Sequence, residues 1–325
     1  MSSTYALLRA WNVTDVAARC VAEHLVESEL TGHPSHGLRQ LLRYRDLIET
    51  GQCDPRAVPV VLSQQGPIAK IDAGGGFGHP AMRLAVETAV ELAREFKVGV
   101  TGVVRAGHTG RMGAWAEQGA AAGMFTLVML AASDPPFALA AAPGAAPVLR
   151  TNPISIGAPG TEDPLTLDMA MSVISESSIL VAASRGERVP EGAFADSAGN
   201  LSTDPADYLD GGVLLPAAGY KGFGLAVLIE AFCVALTGAD MAGLHPTSGA
   251  TVICIESDAF TDGAAARASV DALRHRIRSS GTDVRVDAPG DRSRAIREAG
   301  VLAVDDDIVK LLRGSNPLVD GVRTR

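Results

Sequence analysis

The chain has 325 residues, enough for one large domain or two ordinary ones, and either size buries enough apolar surface to fold without disulfide or metal staples. Charged residues make up 20% and the formal net charge is −9, so the average field opposes a phosphate backbone; aromatics at 4% leave no stacking platforms for single strands, and nucleic acid is disfavoured as a partner. The four cysteines, Cys20, Cys53, Cys233 and Cys254, share no ligand spacing and read as buried thiols in a reducing compartment; with no apolar run of membrane-spanning length and no leader pattern at the N-terminus, a cytoplasmic protein is expected.

From Asn12 the apolar positions Val13, Val16, Cys20, Val21 and Leu25 recur at helical spacing, with Asn12 as N-cap and Asp15 in the first turn. A second helix is expected from His36 to Thr50, stopped by Gly51, with Pro55 beyond it. "AVPVVLSQQGPIAKIDA" then carries two short strands split by a Gln-Gln-Gly-Pro turn, and "MRLAVETAVELAREF" returns to the helical period. Strand "VGVTGVVRAG", helix "GRMGAWAEQGAAAG" and strand "FTLVMLAAS" follow in an alternation that marks a layered α/β domain. Between Asp134 and Gly160, Pro, Ala and Gly dominate and a long loop is expected. Downstream come a strand in "PLTLDMAMS", a loop through "DPADYLDGGVLLPAAGYKG" and the apolar helix "FGLAVLIEAFCVALTG". A buried strand "GATVICIES", the helix "AAARASVDALRHRIRSSG" with its basic C-terminal end, a short helix "DDDIVKLLRGS" and a loose tail "NPLVDGVRTR" complete the chain.

Several clusters have chemical content. "KIDAGGGFGHPAMRLA" follows a strand and opens a helix, where a dinucleotide fingerprint would lie, but His79 holds the third glycine position and Pro80 follows, so a close-approach turn explains the glycines better. In "GHPSHGLRQLLRYRDL", His33 and His36 are three apart and would need a third ligand to hold a metal; no metal site is expected. Ser35 beside His36 lacks a nucleophile elbow, and on the residues alone a helix N-cap at Ser35 followed by a chance histidine is the better account of the pair. "AGHTGRMG" is a glycine-flanked turn whose backbone N–H groups and Arg111 suit a phosphate or merely a tight turn; Lys221 in "AAGYKGFG" leaves the same two readings.

In their order, "SHGLRQLLRYRDLIETGQCDP", "DAGGGFGHPAM", "VGVTGVVRAGHTGRMGAWAEQGAAAGM", "RTNPISIGAP", "LDMAMS" and "LLPAAGYKGFGLAVLIEAF" resemble the malate/L-lactate dehydrogenase family, over residues 12 to 310. This family also includes sulfolactate, ureidoglycolate and hydroxycarboxylate dehydrogenases and cyclic imino-acid reductases. The resemblance implies a three-layer α/β fold with a mixed sheet, a non-Rossmann dinucleotide-binding fold of the sulfolactate/malate dehydrogenase type with a helical N-terminal region. It also implies NAD or NADP as cofactor, a small-molecule 2-hydroxy or 2-oxo acid as substrate, and a homodimer. A division into a helical region (1–66 with 285–325) and a cofactor-binding region (67–284) is expected. His36 takes the role of proton donor or acceptor, supported by Ser35, and an imidazole near its natural pKa suits both directions of such a reaction. By the same resemblance the cofactor meets His108, Thr109, Gly110, Arg111 and Met112, then Asp168, Met169 and Ala170, then Lys221 and Gly222; Thr151 touches substrate. The segment from Pro289 to Arg294 closes over the cofactor.

The sequence departs from this pattern in informative places. Relatives commonly carry Ser-His-Gly-x-x-Arg, whose arginine clamps the substrate carboxylate; here the position is Gln40, with Arg39 before it and Arg43 nearly a turn later. A neutral amide is a weaker clamp than a bidentate guanidinium. Arg150 stands where "GTNP" has glycine, and either takes over the clamp or points to solvent. Ser178 replaces the aspartate of the imino-acid reductases, which disfavours that subgroup. The expectation is an NAD(P)-dependent 2-hydroxyacid oxidoreductase, with a reductase of a cyclic imino acid or specialised intermediate, and a silent binding protein on the same fold, as alternatives.

Overall fold

The computed structural model describes residues 1–240, 246, 248–302 and 304–315; the expected tail after Ser315 lies outside them. The chain opens with α1 (Ser2–Ala10) and α2 (Asp15–Leu30), a 3-10 turn at Pro34–His36 and α3 (Gln40–Glu49). A hairpin of β1 (Val60–Gln65) and β2 (Ile68–Asp72) leads into α4 (Gly78–Phe96), β3 (Val98–Val104), α5 (Met112–Ala121) and β4 (Met124–Ala132). The short strands β5 (Leu139–Ala140) and β6 (Pro147–Leu149) precede β7 (Ile154–Ala158), β8 (Leu165–Met169) and α6 (Glu176–Arg185). Then come β9 (Phe194–Ala195), β10 (Leu201–Ser202), α7 (Pro205–Leu209), β11 (Val213–Leu214) and α8 (Tyr220–Glu230), which runs on through a π-helical turn, Ala231–Ala235. The last elements are β12 (Ser248–Glu256), α9 (Gly263–Arg278), α10 (Asp291–Ala299) and α11 (Asp306–Ser315).

Seven strands form the main sheet in the order β1-β2-β3-β12-β4-β7-β8. Only β2 and β3 run parallel; the other neighbours are antiparallel, so the sheet is mixed. Alternation in β12 makes three layers. Ala250, Val252 and Cys254 face α4 and α5 across an alanine-rich core, while Gly249 and Thr251 face the π-helical turn, where Thr251 donates to the Phe232 carbonyl at 2.8 Å. A side chain at Gly249 would strike the Cys233 carbonyl, so this close approach needs glycine. A second, five-stranded sheet, β10-β9-β11-β5-β6, packs with α8 and α6 around Phe194, Leu139 and Leu214. The helices α1 to α3 share a separate core with α11, built on Leu8, Val21, Leu41, Tyr44, Ile308 and Leu312. The turn at residues 66 and 67, where the expected division falls, joins β1 to β2 within the main sheet.

Local chemistry shifted several boundaries. Asn12 sits at φ 63° in the turn after α1, and the cap of α2 is Thr14. Ser35 is not a helix N-cap: Pro34 starts a 3-10 turn that contains both Ser35 and His36, and α3 begins only at Gln40. The expected loop from Asp134 to Gly160 contains β5, β6 and β7, which are short or paired to strands remote in sequence. Helix α6 carries its own signals, a Ser175 side-chain cap and Gly186 in the left-handed region after it.

Candidate active site

The loop after α2 is fixed from below. Glu29, buried in α2, accepts the Leu38 N–H at 2.8 Å, and its carboxyl fills the space that a side chain at Gly37 would need. Gln40 is also buried and donates from Nε2 to the Ser35 carbonyl at 2.6 Å. These contacts hold the 3-10 turn so that Ser35 Oγ lies 3.0 Å from His36 Nδ1. No partner occupies His36 Nε2 among the described residues. A serine hydroxyl both donates and accepts, so it supports the imidazole with either nitrogen protonated.

The ring of His36 stacks on His108, with centroids 5.7 Å apart and planes 20° from parallel. Behind them the wall is built of more rings. Tyr44, fully buried, places its hydroxyl 2.7 Å from His108 Nδ1 and 3.4 Å from His79 Nε2. His24 stacks on Trp115 and accepts the Arg111 backbone N–H at Nε2, 2.7 Å away. Gly110 makes the close turn possible: its φ is +75°, and a side chain there would strike His24. Burial holds these imidazoles neutral. His33 and His36 are pulled down to about 4 and His79 to about 3, chiefly by burial, with the positive charges of Arg111 and Arg43 contributing at His36. His24 and His108 lie well below their ordinary value for the same first cause.

The other half of the site forms where β8 meets α5 and the chain beyond β8 meets the approach to α8. Asp168, half-buried, accepts the Gly113 N–H at 2.8 Å and so caps the start of α5; burial raises its carboxyl above the usual range. Arg111, almost wholly buried, makes two bonds to Glu117, at 2.6 and 3.2 Å. Beyond β8 the Met171 N–H donates to the Thr151 carbonyl and the Met171 carbonyl accepts from Ala217, each at 2.8 Å. This brings Thr151, Asp168–Ala170 and the approach to α8 together. Lys221 stands exposed in the first turn of α8, whose N-terminus has no side-chain cap, and Gly222 sits where a side chain would strike the Ala217 carbonyl.

The remaining expected residues are placed differently. The guanidinium of Arg39 pairs with Asp305 at 2.8 Å. Arg150 neither reaches a clamp position nor points freely to solvent: it donates to the Asp134 and Pro135 carbonyls at 3.0 and 3.1 Å and fixes that segment. Ser178 bonds Ser175 Oγ at 2.7 Å in the cap of α6. The segment Pro289–Arg294 is anchored to the start of β8, through the Thr166 N–H to the Pro289 carbonyl and from Arg294 to the Pro164 carbonyl. It borders a cavity of about 530 Å³ in which Asp291 engages both Arg278 and Arg294. His33 Nδ1 lies 3.3 Å from Thr31 Oγ1, and no group of three or more potential metal ligands is assembled among the described residues.

Sequence reasoning missed His24, Tyr44, Trp115 and Glu29 as parts of this site, and read His79 only as a flaw in a fingerprint. The contacts of His24 with Arg111 and of Tyr44 with His79 and His108 join residues far apart in the chain, so no local spacing marks them.

The malate/L-lactate dehydrogenase family sequence profile matches residues 2–312. The chain belongs to this family. An L-sulfolactate dehydrogenase from Methanothermobacter thermautotrophicus is 31% identical over 320 residues, 95% of this chain and 92% of that protein. A (2R)-3-sulfolactate dehydrogenase (NADP(+)) from Chromohalobacter salexigens is 33% identical over 270 residues, covering 79% of each. Among solved structures, the delta1-piperideine-2-carboxylate reductase of Pseudomonas syringae superposes with a TM-score of 0.85 at 26% identity, covering 97% of both chains. The family member described here is thus an enzyme of the NAD(P)-dependent dehydrogenase/reductase class on the mixed-sheet α/β fold of its relatives.

Proposed function

We propose that the enzyme interconverts a 2-hydroxy acid and its 2-oxo acid with NAD or NADP, His36 carrying the proton. The observation that carries this reading is the imidazole itself: Nδ1 held by Ser35, Nε2 unpartnered, in a wall of rings that excludes water from one side. The nicotinamide, when bound, supplies the hydride acceptor or donor. As the hydroxyl carbon becomes a carbonyl, His36 Nε2 takes the hydroxyl proton, and in reduction it returns that proton to the oxygen. Since the ring is neutral in the free enzyme, it stands ready as a base for oxidation; the approach of a substrate carboxylate favours the charged ring needed for reduction.

The residues present fit a dinucleotide. The uncapped N-terminus of α8 and exposed Lys221 suit its phosphates, with Gly222 allowing the close approach. In the turn His108–Met112 the Arg111 and Gly113 amides already serve His24 and Asp168, so this turn, with Asp168–Ala170, lines the cofactor rather than cradling phosphate. Thr151 faces the substrate end. Replacing His36 with Ala tests the assignment: turnover of a panel of 2-oxo acids by reduced nicotinamide is expected to vanish while nucleotide binding persists, and unchanged turnover would refute it. Likeness to the piperideine-carboxylate reductase favours a second reading, reduction of a cyclic imino acid; comparing a 2-oxo acid with a cyclic imine on one preparation separates the two.

A homodimer is part of this reading. Leu225, Leu228, Phe232 and Leu236 form an exposed apolar stripe along α8 and its π-helical continuation, and a second copy would cover it. A reducing, cytoplasmic setting is supported by the four cysteines, all buried and unpaired, with burial raising their thiols to between about 11 and about 12. No helix among the described residues is long and apolar enough to cross a membrane.

A further inference from the structure

An acid substrate calls for a cation near His36, and Gln40, beside it, is neutral and committed to the Ser35 carbonyl. The other candidates are occupied: Arg39 by Asp305, Arg111 by Glu117, Arg150 by the segment at Asp134 and Pro135. Arg43 is not. It is exposed on α3 and makes no hydrogen bond or ion pair among the described residues. It lies three positions beyond Gln40, where helical geometry makes neighbours of the two side chains, and directly precedes Tyr44, whose hydroxyl meets His108. Its positive charge is felt at His36, His108 and Tyr44. Arg292 is also unpaired, yet its charge acts on His33 and not on His36.

We infer that Arg43, nearly one turn along α3 from Gln40, binds the carboxylate of the substrate. The consequence is a shifted acid. With Gln40 tying down the catalytic turn from the buried side and Arg43 reaching in from the exposed side, the carboxylate lies nearer solvent, against the His36–His108 stack. A guanidinium offers the planar pair of donors that a carboxylate requires, which lysine reproduces only as a point charge.

This inference rests on the 2-hydroxyacid reading, and the test keeps the two apart. Oxamate, a non-reacting 2-oxo acid analogue, is titrated calorimetrically into the protein saturated with NADH or NADPH. Arg43→Met is expected to weaken oxamate binding about tenfold or more, with Arg43→Lys in between, because a charge-assisted pair of bonds is lost. Nucleotide affinity should be unchanged in both variants. Arg45→Met, which removes a guanidinium paired with Asp46 and Glu49, should bind oxamate like the parent. Parent-like oxamate binding by Arg43→Met overturns the clamp alone, as does an equal loss in Arg45→Met. Failure of the parent enzyme to bind oxamate with either nucleotide overturns the acid-substrate reading and the clamp with it.

Discussion

The two halves of the site are built on opposite principles. The wall of rings, His24, His36, His79, His108 and Tyr44, is neutral, with the Tyr44 hydroxyl between His108 and His79, His24 on a backbone amide, and His79 Nδ1 without a partner among the described residues. The half around β8 and α8 is charged and open, with exposed Lys221, an uncapped helix start and the Arg111–Glu117 pair beneath. Under the proposed function, the difference separates two tasks. A proton carrier benefits from a fixed, partly desolvated ring whose protonation follows its neighbours, whereas a dinucleotide needs exposed cations and amides.

The largest break in this comparison should come from His36→Ala, with kcat falling about 10²- to 10⁴-fold and nucleotide affinity retained, as read by steady-state kinetics and fluorescence titration. Acid should damage the wall next. These histidines have folded-state values below the unfolded value of about 6.5, so their stabilising effect is whole above that pH and is lost as pH falls from there towards about 4. Thermal unfolding between pH 8 and pH 4.5 should reveal a loss on the order of a few kcal/mol beginning near pH 6.5. A melting temperature flat across that range would contradict a neutral, buried wall.

Smaller effects sharpen the contrast. Tyr44→Phe removes the bond to His108 Nδ1 and should cost about 1–2 kcal/mol in chemical denaturation, with a clear drop in kcat. Lys221→Ala should act only in the other half, raising the dissociation constant for nicotinamide nucleotide roughly threefold to tenfold, more at low salt, with kcat nearly unchanged. If the proposed dimer forms through the α8 stripe, Leu228→Glu should leave both halves in place and yield a monomer where the parent sediments as a dimer, as read by analytical ultracentrifugation.

Much of the architecture was legible because it is periodic. The alternation through "VGVTGVVRAG", "GRMGAWAEQGAAAG" and "FTLVMLAAS" became β3, α5 and β4, and the hairpin before α4 lay where its turn residues put it. The elements that escaped lack that signal. Strands β5 and β11 are two residues long, and they are held by pairing with strands that include one another, Leu139 against Leu214, far apart in sequence. Helix α10 reads as a charged stretch, and its place depends on Asp291 engaging Arg278 of α9.

At the candidate site, Ser35, His36, His108 and Lys221 were singled out because each sits in a short motif near glycine or proline, and only the resemblance gave them roles. By itself the sequence determined the family, the α/β layering and the motifs that carry chemistry, since these depend on residue type, spacing and local backbone preference. Tertiary structure alone decided that Gln40 ties down a carbonyl, that Arg39 pairs with Asp305 and Arg150 with the segment at Asp134 and Pro135, and that Arg43 has no partner among the described residues. The physical reason is reach: a long polar side chain bonds whatever the fold brings within about 3 Å of it, and that neighbour is seldom a neighbour in sequence.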